Sequence, residues 1–291
     1  MKFPKFRILL ITVVCFIVIG SVLVIPPLLN PQQEAPNGSE DPNGTEEPNG
    51  TEDPTEVDIQ TVIENAIDYL EVKCEPYGLL FLDAMYRRFG IPEFADAVER
   101  YDQTNTDTHP EGAALRIFRR IIDRDNQYRD GDMNSLYVDI DLLTAPALYC
   151  DKFGLPEDYP DMLQNAVDTG DYLLTHALLA LIWIEENGCE VDLPEGFTEQ
   201  IYDDVAGIIE YYPAMTPYLD LRLEAAAFLC LAGQSDLVDD EFVEYIIETQ
   251  FPDGSWDNTK TDYRWHTTVL ALILLLHVEN PSASYPPMLA Q

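Results

Sequence analysis

The chain has 291 residues, 46% hydrophobic and 24% charged, with 53 acidic side chains against 16 basic ones and a formal net charge of −37. A surface so negative repels phosphate and excludes nucleic acid as a partner. It suits a salty or cation-rich exterior or a basic ligand, and it also serves solubility by itself.

At the N-terminus Lys2, Lys5 and Arg7 precede the uncharged run Ile8–Leu29. As a helix rising about 1.5 Å per residue, that run reaches about 33 Å, the thickness of a bilayer's hydrocarbon core. All the flanking positive charge lies before it, so residues 1–7 are expected in the cytoplasm and everything after Asn30 across the membrane. A cleaved signal peptide is the alternative. It calls for a shorter apolar core and a small-x-small cleavage site, whereas this run closes on Ile25, Pro26, Pro27, Leu28 and Leu29. Residues 8–29 are therefore predicted to be a single-pass transmembrane anchor, and both readings put the rest of the chain outside the cytoplasm. Cys15 follows two valines rather than the small residue a lipoprotein site would need.

Residues 30–56 repeat Pro-Asn-Gly-Ser/Thr with acidic fillers and contain no Lys or Arg. Nothing in them offsets the entropy of ordering, so they read as a disordered stalk. Asn37, Asn43 and Asn49 each open an Asn-x-Ser/Thr glycosylation acceptor, and no other acceptor occurs in the chain.

Residues 57–291 suffice for one large domain or two small ones, with one preferred. Because the first 30 residues hold three basic and no acidic side chains, the remainder carries 13 of the 16 basic against all 53 acidic residues, a net of −40. Cys74, Cys150, Cys189 and Cys230 are widely spaced without a C-x-x-C pair, which argues against a zinc finger. Outside the cell they could form one or two disulfides or remain core thiols.

Strand-like alternation is absent and i, i+3, i+4 spacing recurs, so the fold is predicted all-α. Phe197, Ile201, Val205, Ile208 and Tyr212 make one stripe over 197–212, and Phe242, Tyr245 and Ile246 another over 239–250. Ala177–Trp183, Ala225–Ala232 and Val269–Leu276 are instead apolar all round and must be covered on every side. Alternation of covered and one-faced helices is what an α/α toroid demands, an inner ring of helices wrapped by an outer one. The inner segments begin near Asp171, Asp220 and Asp262, some 40 to 50 residues apart, a spacing of paired-helix repeats. Aspartate at a helix start is expected to cap backbone N–H groups.

Gln250-Phe-Pro-Asp253-Gly254-Ser-Trp256, followed by Asp262-Tyr-Arg-Trp-His266-Thr-Thr-Val-Leu-Ala-Leu, resembles the terpenoid cyclase and protein prenyltransferase superfamily of α/α toroids, with its Q-x-x-D-G-x-W repeat. The motif covers residues 244–277; the units from Asp171 to Gly233 match in rhythm, and residues 57–170 hardly at all. The resemblance implies structural roles for Gln250, Gly254 and Trp256, which tie the turn to neighbouring helices. A class II cyclase would need D-x-D-D as proton donor, and the chain offers Asp139-Ile-Asp141-Leu142. Protein prenyltransferases place a zinc-binding histidine where this chain has His266, but their D-x-C ligands are missing, as is the Cys-Gly-Glu-Gln thioester of complement-like toroids.

His109, His176 and His266 each adjoin a threonine near a predicted helix start. In a toroid such starts face one mouth of the central cavity. The three could hold a metal such as zinc, or His176 and His266 could act with Asp139 or Asp141 as acid and base; each could equally be a structural residue. His277, late in its helix, is expected as a favourable C-terminal charge. Two function classes follow. One is an enzyme on a cell-surface glycan or lipid-linked substrate, where tyrosines such as Tyr211, Tyr212 and Tyr245 stack on sugar or simply pack. The other is a non-catalytic module that binds a small molecule, a glycan or a surface protein. A class II cyclase is a third reading. Bound metal or converging histidines favour the enzyme; a cavity filled with aliphatic side chains favours the module.

Overall fold

The computed structural model describes residues 58–212 and 218–291. The anchor at 8–29, the stalk at 30–56 and the acceptors Asn37, Asn43 and Asn49 lie outside them. Among the described residues the regular structure is entirely helical, and no helix is long and apolar enough to cross a membrane.

The first helix, α1 (Ile59–Lys73), is opened by Asp58, whose carboxylate accepts the Gln60 N–H, and it buries the stripe Val62, Ile63, Ala66 and Leu70. Pro76 takes the first position of α2 (Pro76–Phe89), where its missing N–H costs nothing, and Gly90 ends it in the left-handed conformation at φ 73°. Then come α3 (Ala97–Asp102), α4 (Gly112–Phe118), α5 (Asp132–Ser135), α6 (Asp139–Leu148), α7 (Cys150–Phe153) and α8 (Tyr159–Thr169). The longer α9 (Asp171–Glu186), α11 (Leu219–Leu231) and α13 (Arg264–Glu279) contain the three segments that are apolar all round, and they bury them. Between them α10 (Phe197–Tyr211) and α12 (Asp240–Glu248) bury one face each, Phe197, Ile201, Val205 and Ile208 in the first and Phe242, Val243 and Ile246 in the second.

Helix contacts run α2 to α4, α4 to α6, α6 to α9, α9 to α11, α11 to α13 and α13 back to α2. Against this cycle lie α1 on α13, α3 on α2, α8 on α9, and α10 on α9 and α11. The Gln250–Trp256 turn fastens α12 to α1. Gln250 Nε2 donates to Val62 O at 2.8 Å, Trp256 is fully buried with its indole N–H on Ile246 O at 2.8 Å, and Gly254 sits at φ 85° where a Cβ would lie 2.0 Å from Asn65 O. The structural role expected for Gln250, Gly254 and Trp256 is what the geometry shows.

First turns of α9, α11 and α13 meet at one end of the cycle, the mouth. Last turns of α2, α9 and α13 meet at the other, the base, where residues 281–291 also lie. The base holds the Cys150–Cys189 disulfide, while Cys74 and Cys230 are free. Arg120 is buried there, its guanidinium bonded twice to Asp151 at 2.6 and 2.7 Å and to Leu148 O at 2.8 Å.

Two expectations are corrected. The cap positions of α9, α11 and α13 belong to Gly170, Tyr218 and Tyr263, none with a side-chain cap bond, so Asp171, Asp220 and Asp262 are not their N-caps. His277 is buried and holds no favourable charge. Burial, with the Arg88 guanidinium beside it, pushes its imidazole down to about 4.

Candidate functional site

At the mouth α11 contributes two carboxylates one turn apart, Asp220 and Glu224. Every residue of α11 except Asp220 is buried, and Glu224 is only 1% exposed. A glutamate there must be paired, because an unpaired buried charge costs several kcal/mol. Its partners come from both neighbouring helices: Thr175 Oγ1 of α9 donates to it, His176 Nδ1 lies 3.1 Å away, and His266 Nε2 of α13 lies 3.9 Å away. Asp220 is ringed more fully. It accepts from Thr267 Oγ1 at 2.7 Å, Asn258 Nδ2 at 2.9 Å, Tyr172 OH at 3.0 Å and His266 Nδ1 at 3.0 Å.

These carboxylates set the charge of the imidazoles. Burial alone would lower the pKa of His176, but the charge and bond of Glu224 and the Tyr172 carbonyl at 2.8 Å raise it above the ordinary value. His266 is raised by Asp220 in the same way against the same penalty. Asp220 is held below the usual carboxylate range because His266 and its hydroxyl donors outweigh its burial. Two histidine–carboxylate pairs thus tie three helices together.

Asp141, in the first turn of α6, lies in the field of His176; burial raises its pKa to about 6 and the imidazole pulls it back. It borders a cavity of about 90 Å³ shared with Tyr77, Glu111 and Tyr137. Burial and the charge of Asp141 also push the Tyr77 phenol upward.

Of the residues expected at this mouth, the structure brings His176 and His266 together through Glu224 and places Asp141 beside His176. Asp139 opens α6 on the exposed surface. His109 makes its bond within its own turn, its Nδ1 accepting the Glu111 N–H at 3.2 Å. A zinc ion does not fit this set. Among the described residues no three His, Cys, Asp or Glu side chains are grouped to hold a metal. The imidazole Nδ1 atoms and both carboxylates are engaged with one another, and a raised imidazole pKa makes a metal compete with a proton for the ring lone pair. Space for a long apolar chain in the helical cycle is also taken up: Ala177, Leu178, Leu223, Ala227, Leu270 and Leu274 are all buried in the continuous core.

The residues that sequence reasoning passed over are Tyr172, Glu224 and Asn258, while Asp220 was expected only as a cap and Thr175 and Thr267 only as neighbours of the histidines. A signal was present in Asp220-Leu-Arg-Leu-Glu224: two acids at i, i+4 leading into a wholly apolar run. No protein-family model, curated protein or solved structure matches the chain.

Proposed function

We propose that the chain is a membrane-anchored binding protein whose extracytoplasmic domain is an α/α toroid, and that its mouth takes a neutral glycan. The toroid reading is supported by the contact cycle from α2 through α13 and back, together with the Gln250–Trp256 turn that resembles the cyclase and prenyltransferase repeat. Location outside the cytoplasm is supported by the run at 8–29 with its positive flank, the acceptors at Asn37, Asn43 and Asn49, and the Cys150–Cys189 disulfide.

The observation that carries the ligand is a rim of exposed tyrosine. Tyr137 precedes α6 and is 76% exposed, Tyr211 ends α10 and is 82% exposed, and Tyr172, Tyr218 and Tyr263 stand exposed at the starts of α9, α11 and α13. They are held in place rather than loose. Tyr212 stacks on Tyr218 with ring centroids 4.8 Å apart, receives the edge of Tyr211 at 5.2 Å, and donates its hydroxyl to Asp171. Flat apolar faces with hydroxyl tips and carboxylate acceptors suit the faces and hydroxyls of sugars, and the surrounding negative charge disfavours sulfated or phosphorylated ones. Binding rather than turnover is the reading because Asp220 and Glu224 are saturated by internal donors. Asp141 favours a second reading, in which this carboxyl, with its pKa near 6 at the edge of the small cavity, donates a proton to a bound sugar.

The test is titration of the full chain in lipid nanodiscs with a panel of neutral oligosaccharides, followed by intrinsic fluorescence. Saturable binding that is lost in the Tyr211→Ala, Tyr263→Ala double variant, with helical circular dichroism unchanged, supports the proposal. Absence of saturable binding, or binding that ignores the double variant, overturns it.

A further inference from the structure

At the base, residues 285–290 have no helix or strand of their own, yet their backbone is bonded at Pro286, Met288 and Leu289 by charged side chains of the helical body and at Ala290 by a main-chain carbonyl. Glu186, ending α9, accepts the N–H groups of Met288 at 2.7 Å and Leu289 at 3.0 Å. Arg87 donates to Met288 O at 2.9 Å, Arg88 donates to Pro286 O, and the Ala290 N–H reaches Ile121 O at 2.9 Å. Met288 and Leu289 are buried to 1% and 3% exposure, and the Tyr285 ring packs edge-on to Phe89 at 4.7 Å under the Arg88 guanidinium.

The two arginines that grip this strap have partners besides it. Arg87 is held by Asp83 at 2.7 Å and also reaches Ile121 O at 3.2 Å, and Arg88 lies 3.3 Å from His277 Nε2. The arginines are thus fixed by the body of the protein; they recognise main-chain carbonyls, Glu186 recognises main-chain N–H groups, and the buried Met288 and Leu289 set the register. That is the chemistry by which proteins bind extended peptides. Its link to α13 is short and exposed, Pro281 to Ser284, and a short hinge ahead of a gripped segment is the usual setting for exchange between copies.

We infer that the base is a peptide-binding cradle filled in cis by Tyr285–Ala290, and that it accepts the same segment from a second copy of this chain.

To test it, a protease site is inserted between Ser282 and Ala283 of the full chain in nanodiscs, so that the strap can be cut while seated. The cut strap is expected to leave on dilution. A labelled peptide of residues 281–291 should then bind saturably, and about tenfold more weakly when it carries Leu289→Asp or when the chain carries Glu186→Gln, a difference of about 1.4 kcal/mol. Light scattering of the uncut chain in detergent should show dimers at high concentration that free peptide dissolves. Failure of the peptide to bind a cut chain that keeps its helical signal overturns the cradle. Loss of that signal on cutting overturns it too, since the strap would then be an integral part of the core. Peptide binding with an uncut chain that stays monomeric at every concentration overturns the second copy as occupant.

Discussion

His266 at the mouth and His277 at the base stand three turns apart on one face of α13, and their surroundings drive them in opposite directions. His266 meets Asp220 and Glu224, and its pKa rises. His277 meets no carboxylate: burial, with the Arg88 guanidinium beside it, outweighs the bond to the Ile273 carbonyl, and its pKa falls to about 4. One residue type on one helix is thus shifted toward the cation at one end and toward the neutral imidazole at the other: burial disfavours the charge at both, and only at the mouth do carboxylates outweigh it. The fastenings differ accordingly. The base relies on a disulfide, the buried Arg120–Asp151 pair and main-chain bonds to the strap. The mouth relies on two histidine–carboxylate pairs that join α9, α11 and α13.

Breaking the mouth is expected to have the largest effect. Glu224→Ala leaves His176 and His266 without their shared carboxylate, and removal of one partner from a buried pair costs about 3–5 kcal/mol. Urea denaturation should show that loss, with a smaller one for Glu224→Gln, which keeps an acceptor for Thr175. A variant no less stable than the parent would mean that the cluster does not hold the three helices. The counterpart at the base is Cys150→Ala with Cys189→Ala. Opening a loop of 39 residues' separation removes up to about 4 kcal/mol by chain entropy. The two losses should add when the variants are combined, because no side chain is shared between the two ends.

How much of this was legible in the sequence depends on whether the cause was local. The segments Ala177–Trp183, Ala225–Ala232 and Val269–Leu276 announce covered helices by being apolar on every face, and the stripes of α10 and α12 announce half-wet ones. Trp256 was readable because its motif fixes its neighbours within a few residues. The Cys150–Cys189 pairing was not, since four cysteines allow several connectivities and only the packing of α6 against α9 selects one. Nor was the direction of the His277 shift: it follows from burial against Phe89 and Tyr285, with Arg88, 189 residues away in sequence, adding to it. Asp220 was misjudged because an aspartate at a helix start is usually a cap. What distinguishes it is Glu224 one turn on, in a helix with no wet face to receive it.

Acidity separates the two ends next. A histidine whose folded pKa is about 4 against an ordinary 6.5 contributes roughly 3 kcal/mol that is present above 6.5 and lost as pH falls toward 4. Asp141 acts oppositely over much of that interval: with a folded pKa near 6, it favours the protonated fold and loses that advantage as pH rises from 3.8 to 6. The parent's stability should therefore vary little between pH 4 and 6. His277→Gln should uncover a stability that falls with rising pH, and Asp141→Asn one that rises with it. His176 and His266 add stability below the ordinary imidazole value that is lost as pH rises through their raised values, so His266→Gln should flatten the neutral-to-alkaline limb and leave Asp220 less depressed at the acid end. Denaturation midpoints of the four proteins across pH 4–9 test all three slopes, and parallel curves would sink the opposition between the two ends.

The smallest effect expected is also the most specific. Tyr172→Phe removes one hydroxyl donor from Asp220 at a site water can reach, so its cost should be about 1 kcal/mol. The matching change at the base, Tyr285→Phe, removes the bond to Leu276 O at 3.2 Å and leaves the ring against Phe89, so its cost should be similar. Only the first takes a hydrogen bond from a titrating group; the second keeps the ring that packs on His277 at 5.1 Å. With one donor fewer, Asp220 should be less depressed in the fold, and the stability it supplies above the ordinary carboxylate range should fade at a higher pH as acid is added. Tyr285→Phe should shift the whole curve without changing its acid limb. Equal acid limbs for the two variants would mean that the remaining donors, Thr267, Asn258 and His266, hold Asp220 ionised without Tyr172, leaving the phenol free to turn its hydroxyl toward a ligand.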